Sequence, residues 1–228
     1  MYGKLHLPTS PDLTAGAESA PALLPYILAI FAIAVTTFLL RRLVNIFPSV
    51  IGCALRWKES VNLEASVKLS RDRDIIAMAM FFPFCLIVAK NRLYDPGNIS
   101  DVGDNLYLVI TIGVMLAYIL LRSLTQRLFQ PQNMNIRTYR TGCKASYTFF
   151  ILLTLFLLLN NGLSSFLHLD TATTKNAMLW ISAITYILFI FRKTQIFNSS
   201  CSVFTSILYL CALEFIPTGI LVVSALIF

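Results

Sequence analysis

Residues 202–228 read SVFTSILYLCALEFIPTGILVVSALIF, and this stretch decides the fold class. It is almost wholly apolar, too long for a strand, and contains one acid, Glu214, followed three residues later by Pro217. Counted from Val203 at roughly 1.5 Å per residue, Glu214 lies about 16 Å along a helix. That is near the middle of a hydrocarbon layer roughly 30 Å thick. An ionisable group at that depth costs about 2.5–3.5 kcal/mol on insertion scales.

The same pattern repeats along the chain. Its 228 residues are 57% hydrophobic and only 13% charged, with a mean hydropathy of +0.74. A soluble domain of this length carries about 25% charged residues. The apolar residues come in blocks, so the excess is not one oversized core. A β-barrel would need alternating segments of about ten residues, and runs such as 149–159, FFILLTLFLLL, do not alternate. The expected class is an all-α integral membrane helical bundle, because only helices and closed barrels satisfy the backbone in lipid.

Six spans are expected. Residues 1–21 form a polar tail, and 22–228 form a single transmembrane domain. Ala22–Leu40 is a retained anchor closed by Arg41-Arg42. Leu43–Asp74 is a long polar connection in which Trp57, Val61, Ala65 and Leu69 recur at helical spacing, favouring a helix on the membrane surface with Trp57 at headgroup level. Strand-like alternation of Val61, Leu63, Ala65, Val67 and Leu69 is the competing pattern. Ile75–Ala89 is a short second block, kinked at Pro83, that either spans or re-enters. Leu106–Leu121, Ala145–Leu159, Ala177–Phe191 and the stretch from Ser202 complete the set. Asp95-Pro-Gly97 and Pro131–Asn135 are turn signals, Asp101 and Asp104 are helix-start candidates, Asn160-Asn-Gly162 follows the fourth span, and Asn198-Ser-Ser200 is expected to cap the last helix.

Fourteen of the eighteen basic residues fall in alternate connections. The positive-inside rule then puts both termini outside the cytoplasm. The connection carrying Arg122, Arg127, Arg137, Arg140 and Lys144 contains no acid and is a candidate contact for anionic lipid headgroups. Topological signalling alone also accounts for it. Nucleic acid is not an expected partner of a membrane protein with this pattern.

Glu214 is the candidate intramembrane site. On a regular helix it shares a face with Ile207, Leu210, Cys211, Thr218 and Leu221, and Tyr209, Cys211 and Pro217 belong to the same motif. Pro217 cannot donate to the carbonyl of Leu213. With no base inside any expected span, Glu214 is expected to be protonated, and a Gln substitution is expected to be tolerated where Leu is not. Pairing with an arginine near a span end is the alternative. A relay for protons or cations would use the same group. Asn160, Asn161, His168 and Asp170 could form a polar cluster on the outer side, too sparse in ligands to imply a metal. Five cysteines show no Cys-x-x-Cys, and none of the hydrolase, zinc-protease or phosphate-loop motifs occurs. No catalytic residue, cofactor or metal site is therefore assigned.

The stretch Ile207–Pro217, ILYLCALEFIP, resembles the closing motif of a domain-of-unknown-function family of multi-spanning inner-membrane proteins from Bacteroidota, and Phe191-Arg-Lys193 is similar to the basic aromatic stretch that precedes it. The resemblance implies a bacterial inner membrane, with Glu214 and Pro217 as motif residues, and brings no activity with it. The expected role is an accessory or assembly protein of the cell envelope, acting on a membrane-protein partner by lateral helix contacts. A small proton- or cation-coupled transporter is the alternative, and a lipid-modifying enzyme the third. Reporter fusions at Phe228 and after Leu128 should give opposite signals; a cytoplasmic carboxy terminus would contradict the six-span topology.

Overall fold

The computed structural model describes residues 23–93, 103–128, 136–199 and 202–227. The expectations for the polar tail, for Asp95-Pro-Gly97, for Asp101 and for Pro131–Asn135 fall outside these residues. Among them every regular element is helical: α1 (Leu23–Leu55), α2 (Trp57–Ala65), α3 (Val67–Lys90), α4 (Asp104–Leu128), α5 (Ile136–Phe166), α6 (Thr171–Asn198) and a final rod made of α7 (Val203–Leu210), a π-helical turn (Cys211–Phe215) and α8 (Ile216–Ile227).

Among the described residues five helical segments are long and apolar enough to cross a membrane: α1, α4, α5, α6 and the final rod. The chain is a helical membrane protein, with one such segment fewer than the six expected. The block Ile75–Ala89 lies in α3, whose first turns carry Lys68, Arg71, Asp72, Arg73 and Asp74. At 24 residues α3 is about 36 Å long. It is one continuous helix, with Pro83 buried inside it, and it lies against α1, α4 and α5.

The long polar connection is helical almost throughout. Arg41-Arg42 does not end α1, which runs 33 residues, about 50 Å, to Leu55. Arg42 Nη1 instead meets Asp72 Oδ1 of α3 at 3.2 Å. Only Arg56 and Ser66 leave helical geometry, both in extended backbone on either side of α2. The alternating pattern over Val61–Leu69 therefore does not form a strand. Nor does α2 use the apolar stripe to pack: Ser60 and Leu63 turn inward, while Val61 and Ala65 remain exposed. Trp57 packs beside Tyr139, Ala145, Ile196, Phe197 and Leu213, so its indole is half-buried against the protein.

The end of α5 also differs from expectation. The helix continues through Asn160, Asn161 and Gly162 to Phe166. It stops where His168 adopts φ 50°, and the N–H of Leu169 closes the end by donating to the Ser164 carbonyl at 3.0 Å. This is the geometry of a Schellman cap, with histidine in the left-handed position that glycine usually takes.

The main core joins four helices. Leu43, Ile46 and Val50 of α1 meet Ile76, Ala77 and Met80 of α3, Phe149, Ile151 and Leu152 of α5, and Phe189 of α6. A second cluster ties the start of α5 to the end of α6 and to the final rod through Tyr139, Ala145, Ile196, Phe197 and Leu213. In it Gly142 lies under the Phe197 ring, so closely that a Cβ would overlap the ring edge. Phe197 is itself buried and has nowhere to retreat. Gly142→Ala should therefore destabilise by about 1–3 kcal/mol, read as a lower melting temperature in detergent, and Phe197→Leu should recover part of that loss. An unchanged melting temperature for Gly142→Ala would contradict the close packing of α5 on α6.

Candidate functional site

The final rod begins at Ser202, not at Asn198-Ser-Ser200. Asn198 is the last residue of α6, and the Ser202 hydroxyl accepts from the N–H of Thr205. About two turns after the cap the helix widens. The N–H of Ile216 donates to the Cys211 carbonyl five residues back, which makes Cys211–Phe215 a π turn. Pro217 is the local cause we assign to it. Its ring collides with the carbonyl four residues earlier in a regular helix, and it brings no N–H of its own. A wider turn just before it relieves both problems.

That turn resets the inward face. Ser206, Leu210, Leu213, Glu214 and Pro217 are buried. Ile207 and Cys211, expected on the Glu214 face, are exposed instead, because one widened turn rotates the residues before it away from the regular-helix register. Tyr209 is half-buried beside Tyr139 and Phe197.

Glu214 is fully enclosed, and so is Lys193 of α6, both at 0% exposure. Glu214 Oε1 accepts from Lys193 Nζ and, at 2.6 Å, from Arg122 Nη2 of α4. The expectation of a span without bases is thus corrected. Arg122 and Lys193, which read as charges closing their spans, reach back into the bundle. They stand six and five residues from the ends of their helices. The premise for a protonated Glu214 goes with it, since the acid is one member of an ion triad. The Phe189 ring receives both cations, Arg122 Cζ at 5.4 Å and Lys193 Nζ at 5.7 Å from its centroid, and Phe197 receives Lys193 at 5.4 Å. Aromatic faces offset part of the desolvation of buried cations, by about 2 kcal/mol or more in desolvated sites. Glu214 Oε2 and Arg122 Nε are buried and make no hydrogen bond. One helical turn further on, Tyr118 and Thr218 meet at 3.5 Å between their side-chain oxygens.

Lys193 was not singled out by sequence, although a signal existed. It stands four residues from both Phe189 and Phe197, on one helix face with two aromatic rings. Its neighbour Arg192 points elsewhere. There the guanidinium donates to the carbonyls of Ala54 and Leu55, at 2.8 and 2.7 Å, and so closes the carboxy-terminal end of α1.

The remaining candidates separate. Arg122 belongs to the triad, with its side chain 18% exposed. Lys144 is held by Glu64 at 2.8 Å and by Asp74 at 3.6 Å, in a network where the buried Arg73 meets Glu64 at 3.1 Å and Asp74 at 2.7 Å. Arg127 and Arg140 are exposed, and the side chain of Arg137 is outside the described set. Asn160, Asn161, His168 and Asp170 are not brought together by any hydrogen bond among the described residues. Asn160 Nδ2 is buried without a partner, His168 caps α5, and Asp170 precedes α6 with its carbonyl accepting from Thr174. Among the described residues no three of His, Cys, Asp and Glu converge as metal ligands would. Comparison with family models, curated proteins and solved structures finds no match.

Removing the charge of Glu214 while keeping its shape leaves the enclosed Lys193 and the largely buried Arg122 without their anion. Breaking a buried pair in this way costs about 3–5 kcal/mol. Glu214→Gln should therefore lower the melting temperature in detergent about as much as Glu214→Leu, in contrast to the tolerance expected from sequence. A Gln variant as stable as the parent protein would show that the triad is not an ion cluster.

Proposed function

We propose that this chain is an accessory or assembly protein of a bacterial inner membrane, which presents a rigid helical bundle to a membrane-protein partner. The observation that carries this reading is the closure of its intramembrane charges: Glu214 and Lys193 have no exposed surface at all. A group that must exchange protons or cations with water needs a path to it. A group that ties α4, α6 and the final rod together does not. The closing motif and the alternation of basic connections support an inner membrane with both termini outside the cytoplasm, a topology that takes α3, about 36 Å long, as a sixth crossing beside the five apolar segments. The exposed apolar residues along α1, α4 and α6 suit lipid and lateral helix contacts.

A small coupled transporter is the second reading. It is favoured by Glu214 Oε2 and Arg122 Nε, both buried and unpartnered, beside a π turn of the kind that recurs at functional sites. Reconstitution separates the two. The full chain is placed in vesicles loaded with a pH-sensitive dye, under an imposed sodium or potassium gradient. The accessory role predicts proton flux no greater than in empty vesicles, for the parent protein and for the double variant Glu214→Leu with Lys193→Met alike. A gradient-driven flux that this pair abolishes would replace the accessory reading by the transporter.

A further inference from the structure

A second basic feature lies outside the triad. Between the end of α4 and the start of α5 runs an open crevice of about 460 Å³, lined by Ser123, Gln126, Arg127, Tyr139, Arg140 and Lys144. No acid lines it. The two helices are fastened at its base, where the Tyr139 hydroxyl donates to the Gln126 carbonyl at 2.6 Å. Lys144 is already neutralised by Glu64 and Asp74. Arg127 and Arg140 are not: both are exposed, and neither has an ion-pair partner among the described residues. Behind them, Cys143 joins the crevice wall to the triad, which itself holds two cations against one acid. Arg127 and Arg140 therefore supply the uncompensated positive charge of the crevice.

We propose that this crevice binds the phosphodiester headgroup of an anionic glycerophospholipid, with Arg127 and Arg140 as the clamp from facing helices. Guanidinium groups match phosphate oxygens in a two-pronged geometry, and Ser123 supplies a further donor. The apolar surroundings favour a lipid over a soluble phosphate. Leu120, Leu124 and Leu128 follow one exposed face of α4 at four-residue spacing, and Ile136 is exposed on α5 at the crevice. A molecule with a phosphate and long alkyl chains satisfies both surfaces at once. Basic pockets between membrane helices recognise acidic headgroups in this way. The proposal rests on the membrane setting given above and narrows it to one site and two residues.

The test is native mass spectrometry of the full chain in mild detergent, with phosphatidylglycerol and phosphatidylcholine added in equal amounts. The parent protein should retain phosphatidylglycerol preferentially. Arg127→Gln with Arg140→Gln should lower that retention on the order of thirtyfold, taking about 1 kcal/mol for each arginine near the headgroup. Melting temperature should be unchanged, because neither side chain is paired. Arg127→Lys with Arg140→Lys should keep only part of the binding, since an ammonium carries the charge without the two-pronged fork, and Arg41→Gln with Lys58→Gln should keep all of it. Equal retention by the Gln double variant would overturn the proposal, as would equal loss in the Arg41 and Lys58 control. Displacement of the lipid by inorganic phosphate at the same concentration would assign the site to a soluble phosphate and overturn the lipid reading. None of these variants touches the triad, so failure here is distinct from failure of the accessory role, which the vesicle flux measures.

Discussion

The bundle depends on one enclosed carboxylate oxygen, Glu214 Oε1, which meets cations from two other helices. Taking these groups out of water costs several kcal/mol per ion. The chain offsets that cost by convergence: Arg122 from α4, Lys193 from α6 and the acid from the final rod, with the Phe189 and Phe197 rings under the cations. Apolar helices have little hydrophobic reason to associate within lipid, where the tails are as apolar as leucine. A buried ion triad gives them a specific one. It sets which faces of α4 and α6 meet the rod and excludes rotated alternatives, in which a charge would face hydrocarbon.

The π turn and the triad belong together. Pro217 destabilises a regular helix over the preceding turn, and the widened turn buries Leu213 and Glu214 side by side. A similar economy holds α2 in place. Arg73, almost wholly enclosed, binds Glu64 and Asp74, and Lys144 of α5 closes the same acids from the other side. Two charge clusters, one between α4, α6 and the rod and one between α2, α3 and α5, thus join these helices beside a core that is otherwise aliphatic and aromatic. A rigid scaffold of this kind suits a protein that acts by shape in the bilayer.

The class of the fold was legible because membrane helices announce themselves by uninterrupted apolar length. Helix ends were less legible. Arg41-Arg42, Asn160-Asn161 and Gly162 looked like boundaries, yet polar residues interrupt a hydropathy profile without breaking a backbone, and the hydrogen-bond ladder runs on through them. The true stop of α5 is a single histidine in a left-handed conformation, which composition does not reveal. At the site, Glu214 was conspicuous as a lone acid in an apolar run. Its partners were not, because a lysine or arginine close to a helix end usually snorkels outward to the headgroups. Arg122 and Lys193 turn inward only because the tertiary fold brings an acid within reach. The aromatic residues four positions on either side of Lys193 were the one local hint.

The central claim is that Glu214 and Lys193 are coupled inside the bundle, and a double-mutant cycle measures that coupling directly. Stability is compared for the parent protein, Glu214→Leu, Lys193→Met and the pair, by reversible unfolding in a mixed detergent. Glu214→Leu strands two cations, Lys193→Met leaves Glu214 paired with Arg122 alone, and the double variant leaves Arg122 as the one unpaired charge of the triad. The account predicts a double variant more stable than Glu214→Leu, with a coupling of about 1–3 kcal/mol. Effects that add to within about 0.5 kcal/mol would show that the two groups do not interact and would contradict it.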